Sequence, residues 1–423
     1  MGYALRNLIL AIGLHLVRCE GTCSGCEDGS VLLQNGPVGK AMFQAEHEEG
    51  SLVAAVFDED PDETLEGYTF EAYMKEYGKK YSGQELEQRK TIFEASYKMV
   101  KEHNAGRSTF EMGINEYSDW TPEELKTLRG LRKNRRKTGA STSKEFRVDK
   151  SASKLPIAFD WRDEDDVVSP VKNQGHCGSC WAFAATATVE SAVAIAEGTL
   201  TILAPQPMVS CAQNPRHCGG TGGCDGATAQ IGFEYVMNHS LTYEEVVGYK
   251  SFWGKSQECS LKMQTHVAAY PVASISGFVT NPTNDYLALM EALVTHGPQA
   301  VSVDASGWSP YQSGIANFCD VAENIDIDHA VVLVGYGNGG SIGYWTVRNS
   351  WGTMWGEEGY IRLIRHEEED SYCGWDNTPS HGSLCADENV TQQYVCGTCG
   401  ILFDTSHVVG ANYVGMGSGD INR

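Results

Sequence analysis

The chain predicts an α+β fold preceded by a helical segment, and three observations carry that expectation. Residues 180–197 form an alanine-rich stretch that reads as a helix. Two apolar, β-branched runs, at 328–337 and 344–349, read as buried strands. Residues 67–104 place Phe70, Tyr73, Met74 and Tyr77, then Phe93, Tyr97 and Val100, at helical spacing. Glu85 and Arg89 stand there at the i,i+4 interval of a helical ion pair.

The alanine-rich helix opens on a thiol. In Gln174-Gly175-His176-Cys177-Gly178-Ser179-Cys180-Trp181-Ala182-Phe183, Cys180 stands at the first turn. There the positive end of the helix dipole favours the thiolate and lowers the pKa below a free thiol's value of about 8.5. Gln174 supplies an amide donor upstream, and Cys177 supplies a second thiol across a tight turn. A Cys-x-x-Cys at a helix start also suits a redox pair or a structural disulfide. A nucleophilic thiol needs a base and a group to orient that base. His329 stands at the entry of the first strand, and Asn349 ends the second. If the strands are neighbours, the Asn349 carbonyl oxygen can hold the His329 ring, with Trp351 covering the bond from solvent.

This ten-residue run resembles the papain-like cysteine peptidases, as does the order Cys180, His329, Asn349, with the His about 150 residues after the Cys. The resemblance implies a two-lobed fold, with a helical lobe holding Cys180 and a β-barrel-like lobe holding His329 and Asn349. Cys180 would be the nucleophile, His329 the general base and acid, and Asn349 the orienting group. Gln174 and the Cys180 N–H would form the oxyanion hole. It further implies a monomer that acts on peptide and protein substrates, meets protein inhibitors of the cystatin type and uses no metal or organic cofactor.

The N-terminal third resembles the inhibitory pro-region of cathepsin L-like zymogens. Its helix pattern falls on Glu85, Arg89, Phe93, Ser96, Val100 and Asn104, with Ser96 in place of Asn and Val100 in place of Ile. Gly113, Asn115, Tyr117 and Asp119 match a second motif, with Tyr117 in place of Phe. The implied pro-domain spans 67–128. The segment after Asp119 would lie along the cleft in reverse, and acid would loosen it by protonating carboxylates such as Asp119. A basic stretch at 129–154 reads as an exposed processing linker, with a nucleic-acid or heparin patch as the alternative. The mature peptidase domain is expected to begin between Lys150 and Leu155 and to run to 423.

The balance of 32 basic against 55 acidic residues argues against nucleic acid as a partner. A short apolar run within residues 1–19 suits a signal peptide and is too short to span a membrane. Residues 20–66 carry no assignment. Asn238 and Asn389 head glycosylation sequons. These features point to the secretory pathway, ending in a lysosome, a vacuole or the exterior. From Leu155 onward there are eleven cysteines, and setting Cys180 aside leaves an even ten, as secreted proteins require. The resemblance implies the pairs Cys177–Cys224 and Cys211–Cys259, and ties Cys319 to a cysteine near the C-terminus. It leaves Cys218, Cys373, Cys385 and Cys396 open. A zinc site from Cys23, Cys26, Cys396 and Cys399 is the minor alternative.

Two registers compete at the C-terminal end. One uses Cys373-Gly374-Trp375 and puts Thr378 at the floor of the pocket for the second substrate residue before the cut. The other uses Cys399-Gly400-Ile401, puts Asp404 there and makes residues 366–398 an insertion. The second preserves more of the family's ending. By resemblance Ala229, Ser302, Ile327 and Ala330 complete the pocket, which suits Leu, Val or Phe, and Asp404 would also admit Arg. Gly226, Ala227 and Trp351 would flank the substrate, with Ala227 replacing a family glycine. An endopeptidase is the expected activity. An exopeptidase, with the insertion blocking one end of the cleft, and a non-catalytic inhibitory or binding module are the rivals.

Overall fold

The computed structural model describes residues 66–130 and 155–414, with strands at 15–17, 31–35, 40–46, 52–58 and 144–145. The expected signal-peptide cleavage region, most of the basic linker and the mature start before Leu155 lie outside the described residues. The chain divides into two units, Met1–Lys80 and Tyr81–Arg423. In the first, β1 (His15–Val17), β2 (Val31–Asn35), β3 (Lys40–Glu46) and β4 (Leu52–Asp58) pair in sequence order as an antiparallel sheet. Helix α1 (Phe70–Glu76) follows, started by Thr69, whose hydroxyl accepts from the Ala72 N–H at 3.2 Å.

The second unit opens with α2 (Gly83–Asn104), whose apolar spacing buries Phe93 and Val100. Arg89 stands 3.8 Å from Glu85. Its stronger partner is Glu124, bonded through both guanidinium Nη atoms at 2.5 and 2.6 Å. Glu124 also completes a capping box with Thr121 at the start of α3 (Pro122–Leu125). At the far end of α2, Asn104 bonds the Met112 backbone through both amide atoms, at 2.8 and 3.0 Å. That fixes β5 (Phe110–Met112) as an added antiparallel strand on Tyr311–Ala316 of the following domain.

In the helical lobe, α4 (Cys180–Glu197) is buried for most of its length. Its alanines let neighbours approach closely: a Cβ on Gly232 would lie 2.6 Å from the Ala185 methyl. The helix ends at Gly198 in the left-handed conformation, φ 69°. Around it stand α5 (Gln206–Cys211) and α6 (Ala229–His239), stapled by Cys177–Cys224 and Cys211–Cys259.

The other lobe contains β6 (Gly277–Thr280), α7 (Tyr286–His296), β7 (Gln299–Val303), β8 (Tyr311–Ala316), β9 (His329–Gly339), β10 (Ile342–Arg348) and β11 (Tyr360–Arg365). It continues through the hairpin β12 (Cys373–Asp376) and β13 (Gln393–Cys396) to β14 (Asp404–Val409). The sheet order is β5-β8-β11-β10-β9-β7-β14-β6. Ala330, Val332 and Val334 of β9 share one apolar core with α4, so the strand bearing His329 packs on the helix bearing Cys180. Cys319 is bonded to Cys399, and Asp404 stands opposite Ser302, the geometry of the second C-terminal register. Cys373 is bonded to Cys396 and Cys385 to Cys218, so the ten paired cysteines leave Cys180 as the free thiol among the described residues. With Cys396 and Cys399 in separate disulfides, the zinc alternative loses its C-terminal thiolates.

A buried carboxylate ties α4 to the segments on either side of it. Glu190, inside α4 and fully shielded, accepts from Lys172 Nζ at 2.9 Å, the Leu203 N–H at 2.7 Å and the Ser169 hydroxyl. Removing one partner of a buried pair costs about 3–5 kcal/mol. Glu190→Ala is therefore expected to lower the thermal midpoint of the zymogen by several degrees in a calorimetric scan, and an unchanged midpoint would contradict this role.

Candidate active site

Antiparallel pairing of β9 with β10 brings the start of one strand beside the end of the other. His329 Nε2 therefore meets Asn349 Oδ1 at 2.8 Å. The Trp351 ring covers that bond, its centroid 5.1 Å from the imidazole, and Trp308 stands edge-on at 6.2 Å. With Nε2 engaged, Nδ1 has no hydrogen-bond partner and is the nitrogen left for proton exchange. One residue further on, the Ala330 N–H points at Cys180 Sγ, 3.5 Å away. The fold thus brings thiol, imidazole and amide together from three elements.

Gln174 is locked by Ser350, which donates its hydroxyl to Gln174 Oε1 at 2.6 Å and accepts the Gln174 N–H at 2.9 Å. This turns Nε2 toward the thiol side, where it donates to Cys177 O at 2.8 Å and to Leu128 O at 2.9 Å. The second acceptor is a peptide carbonyl of the pro-region, which Trp351 Nε1 also reaches at 3.3 Å. Two residues later the Gly130 N–H donates to Cys180 Sγ at 3.2 Å. A Cβ on Gly130 would lie 2.4 Å from Gly178 O and 2.7 Å from the sulfur, so only glycine fits. The Gly130 carbonyl in turn lies against Gly226, at φ +89°, where a Cβ would come within 1.6 Å. Between them Arg129 pairs with Asp328 at 2.7 Å, both side chains nearly shielded.

Leu128, Arg129 and Gly130 form a plug over the reacting groups. Arg129 and Gly130, assigned from sequence to the exposed linker, belong to it. The plug sets the electrostatics. Burial pushes the Cys180 thiol up to about 11, against the N–H groups of Ala330, Gly130 and Trp181 that favour the thiolate. Burial likewise pushes His329 down to about 4, opposed by the Asn349 bond and reinforced by the Arg129 charge. Both shifts favour the neutral thiol and the neutral imidazole in this state. In this plugged state burial works against the thiolate-favouring helix start, and the thiol stands above its ordinary value rather than below it. Burial also drives Asp328 well above the carboxylate range; Arg129 pulls it back, and Asp304 and Asp326 push it up again.

The remaining predicted positions are as follows. Ile327, Ala330 and Ser302 are buried beside the cleft, and Ala229 begins α6. Ala227 is fully buried. Asp404 is bonded through one oxygen to the Ser302 hydroxyl at 2.7 Å and through the other to Gln230 Nε2 at 2.8 Å, and burial raises its pKa. Asn238 lies in the last turn of α6, donating to Glu234 O at 2.7 Å, whereas Asn389 is exposed between β12 and β13. Asp119 is buried and accepts from the Tyr81 hydroxyl at 2.6 Å. Sequence reasoning laid the segment after Asp119 along the cleft but missed Ser350, the part Arg129 and Gly130 take in the plug, and the Cys218–Cys385 pairing. A lone glycine ahead of a basic run was the available signal for the plug.

Residues 155–383 match the family described as papain family cysteine protease, and residues 70–125 match the cathepsin propeptide inhibitor domain. The chain is a papain-family cysteine peptidase with its propeptide. Bovine (Bos taurus) pro-cathepsin H is 36% identical over 306 residues, 71% of this chain and 86% of that one. Procathepsin L of Mus musculus is 36% identical over 306 residues, 70% of this chain and 85% of its own. Among solved structures, a recombinant stem bromelain precursor superposes with a TM-score of 0.63 at 30% identity, covering 80% of this chain and 97% of that one. Digestive procathepsin L 3 of Tenebrio molitor larval midgut does so at 0.61 and 28%, covering 82% and 98%. The papain fold and its helical pro-region are thereby shown. The relatives also include a plant enzyme, Cysteine protease 1 of Oryza sativa subsp. japonica, 40% identical over 292 residues, 67% of this chain and 56% of that one. No helix among the described residues is long and apolar enough to cross a membrane.

Proposed function

We propose that this zymogen matures into a peptide hydrolase in which Cys180 is the nucleophile, His329 the base and acid, Asn349 its orienting group and Gln174 an oxyanion donor. The plug carries the reading, because a peptide already sits on the reacting groups, its carbonyl on Gln174 and an N–H on the sulfur. It runs from the Trp351 side to the Gly226 side. A substrate whose leaving amine faces His329 must run the other way, so the plug binds without being cut. After its removal the thiolate adds to the carbonyl carbon, and the oxyanion is held by Gln174 Nε2 and the Cys180 N–H. His329 protonates the leaving nitrogen as the C–N bond breaks. It then takes a proton from water as water adds to the thioester, and the acid leaves as the C–S bond breaks. Hydrolysis of a reporter peptide by the acid-matured protein, abolished in Cys180→Ala, is the expected result. Hydrolysis that survives this change would reject the nucleophile. A protein that acts only by binding would show neither hydrolysis nor alkylation of Cys180.

Ala229, Ser302, Ile327 and Ala330 make the pocket for the second residue before the cut small and apolar, which favours Leu, Val or Phe. Both oxygens of Asp404 are already bonded, so an Arg there would have to displace Ser302 or Gln230. Leu substrates are expected to exceed Arg substrates in kcat/KM by tenfold or more, about 1.4 kcal/mol. Equal rates that become unequal in Asp404→Ala would restore the Arg-accepting floor.

For acid release, Glu124 is a better candidate than Asp119. Burial acts to raise the Glu124 pKa, but the Arg89 bonds and the Thr121 cap outweigh it, leaving the pKa lowered. A carboxylate with a depressed pKa contributes stability that is present above its ordinary pKa and lost as pH falls through the depressed value. The α2–α3 clasp therefore weakens on acidification below about pH 4.3. Glu124→Gln is expected to speed maturation at pH 6 on the order of tenfold, the discounted worth of a partly exposed bidentate pair. The same pH profile as wild type would contradict this.

A further inference from the structure

The insertion between β11 and β14 is rooted in the β-lobe and fastened to the helical lobe. Its root is the β12–β13 hairpin, closed by Cys373–Cys396 and backed by Cys319–Cys399. The Asn377 N–H donates to Asn324 Oδ1 at 2.7 Å. Gly382 is pressed onto the carbonyl of Ile327, two residues before His329, so closely that a Cβ there would lie 2.0 Å from the oxygen. Three residues later the chain is joined to the other lobe. Leu384 O accepts the Gly219 N–H at 3.1 Å, the Ala386 N–H donates to Arg216 O at 3.0 Å, and Cys385 is disulfide-bonded to Cys218. Arg216 pairs with Asp387 at 3.1 Å. The helical-lobe loop that receives these bonds is itself the wall of the cleft. A Cβ on Gly226 would meet both Gly219 O, at 2.5 Å, and the carbonyl of plug residue Gly130.

Residues 382–386 thus run from the Ile327 carbonyl to the 216–219 loop that backs Gly226. We propose that this segment is a covalent strap over the acyl-side end of the cleft, and that the mature enzyme is an exopeptidase releasing short pieces from free N-termini. This rests on the peptidase reading given above and departs from the endopeptidase expected from the sequence. The plug sets the scale: Gly130, bonded to Cys180 Sγ, is also the residue whose carbonyl touches Gly226, beside the strapped loop. An extended chain advances about 3.3–3.6 Å per residue, which leaves room for about two substrate residues before the strap. A longer N-terminal extension would have to thread beneath a disulfide-closed loop.

The test incubates the acid-matured enzyme with an unstructured decapeptide and reads products by mass spectrometry over time. Wild type is expected to shorten the peptide from its N-terminus in steps of one or two residues. The Cys218→Ser/Cys385→Ser double variant is expected to gain internal cuts. A wild-type enzyme whose first products arise from cuts four or more residues inside the peptide would overturn the strap, and this holds even if the double variant fails to fold. Iodoacetamide, small enough to pass the strap, reports Cys180 in the same samples. No hydrolysis with Cys180 unlabelled would overturn the peptidase reading and this inference with it, whereas internal cutting by a labelled enzyme overturns the strap alone.

Discussion

Replacing Gln174 with alanine is expected to lower kcat of the matured enzyme about 10²–10³-fold with little change in KM, the loss typical of one oxyanion donor. The side chain is held in one orientation. Ser350 fixes its carbonyl oxygen at 2.6 Å and its backbone N–H at 2.9 Å, so Nε2 has one direction left. The plug shows what that direction serves, since a peptide carbonyl takes the bond at 2.9 Å. A charge that develops on such an oxygen in a water-poor cleft gains more than the neutral carbonyl does, so the effect falls on kcat. Ser350→Ala should produce a smaller loss of the same kind, because it frees the amide without removing it. A Gln174→Ala enzyme with unchanged kcat would place the oxyanion elsewhere.

The second large effect concerns latency. Arg129→Ala is expected to weaken plug binding on the order of 10²-fold, about 3 kcal/mol, the lower end for a broken buried ion pair. The lower end applies because Asp328, already pushed up by burial, takes a proton when its partner is removed instead of staying charged. The readout is the activity of unprocessed zymogen at neutral pH, which should rise from background in Arg129→Ala. Gly130→Ala should act in the same direction through sterics, since the new methyl meets Gly178 O and the sulfur. A fully latent Arg129→Ala zymogen would show that α2 and β5 hold the plug without the ion pair.

The residues of the candidate site were legible in local sequence because a thiol at a helix start, an upstream amide and two strand-end side chains each need only their own element to be recognised. The fold then supplies the single non-local fact, that β9 and β10 are antiparallel neighbours, and His329 meets Asn349. What was not legible depends on surfaces built from distant segments. Leu128–Arg129–Gly130 looks like the start of a basic linker until Gly178, Cys180 and Gly226 surround it. The raised thiol pKa of the zymogen could not be read from the helix dipole, because burial, to which a segment 50 residues upstream adds, opposes the dipole. Ten cysteines allow many pairings, so Cys218–Cys385, a bond between lobes, carries no sequence signature. The clasp of Arg89 was not legible either: its guanidinium bonds the carboxylate of Glu124 and also the backbone carbonyl of Asp119, joining two distant stretches.

The central claim is that Cys180 is a nucleophile kept neutral by the plug. The rate of its alkylation by iodoacetamide, followed by peptide mapping from pH 5 to 10 before and after maturation, tests it most directly. With a thiol pKa near 11 the zymogen holds a thiolate fraction of about 10⁻⁴ at pH 7. Its labelling should therefore be slow and rise about tenfold per pH unit. The matured enzyme, with the sulfur solvated and His329 free to share its proton, should label fast and nearly independently of pH from 5 upward. Equal rates and slopes in the two forms would contradict the account.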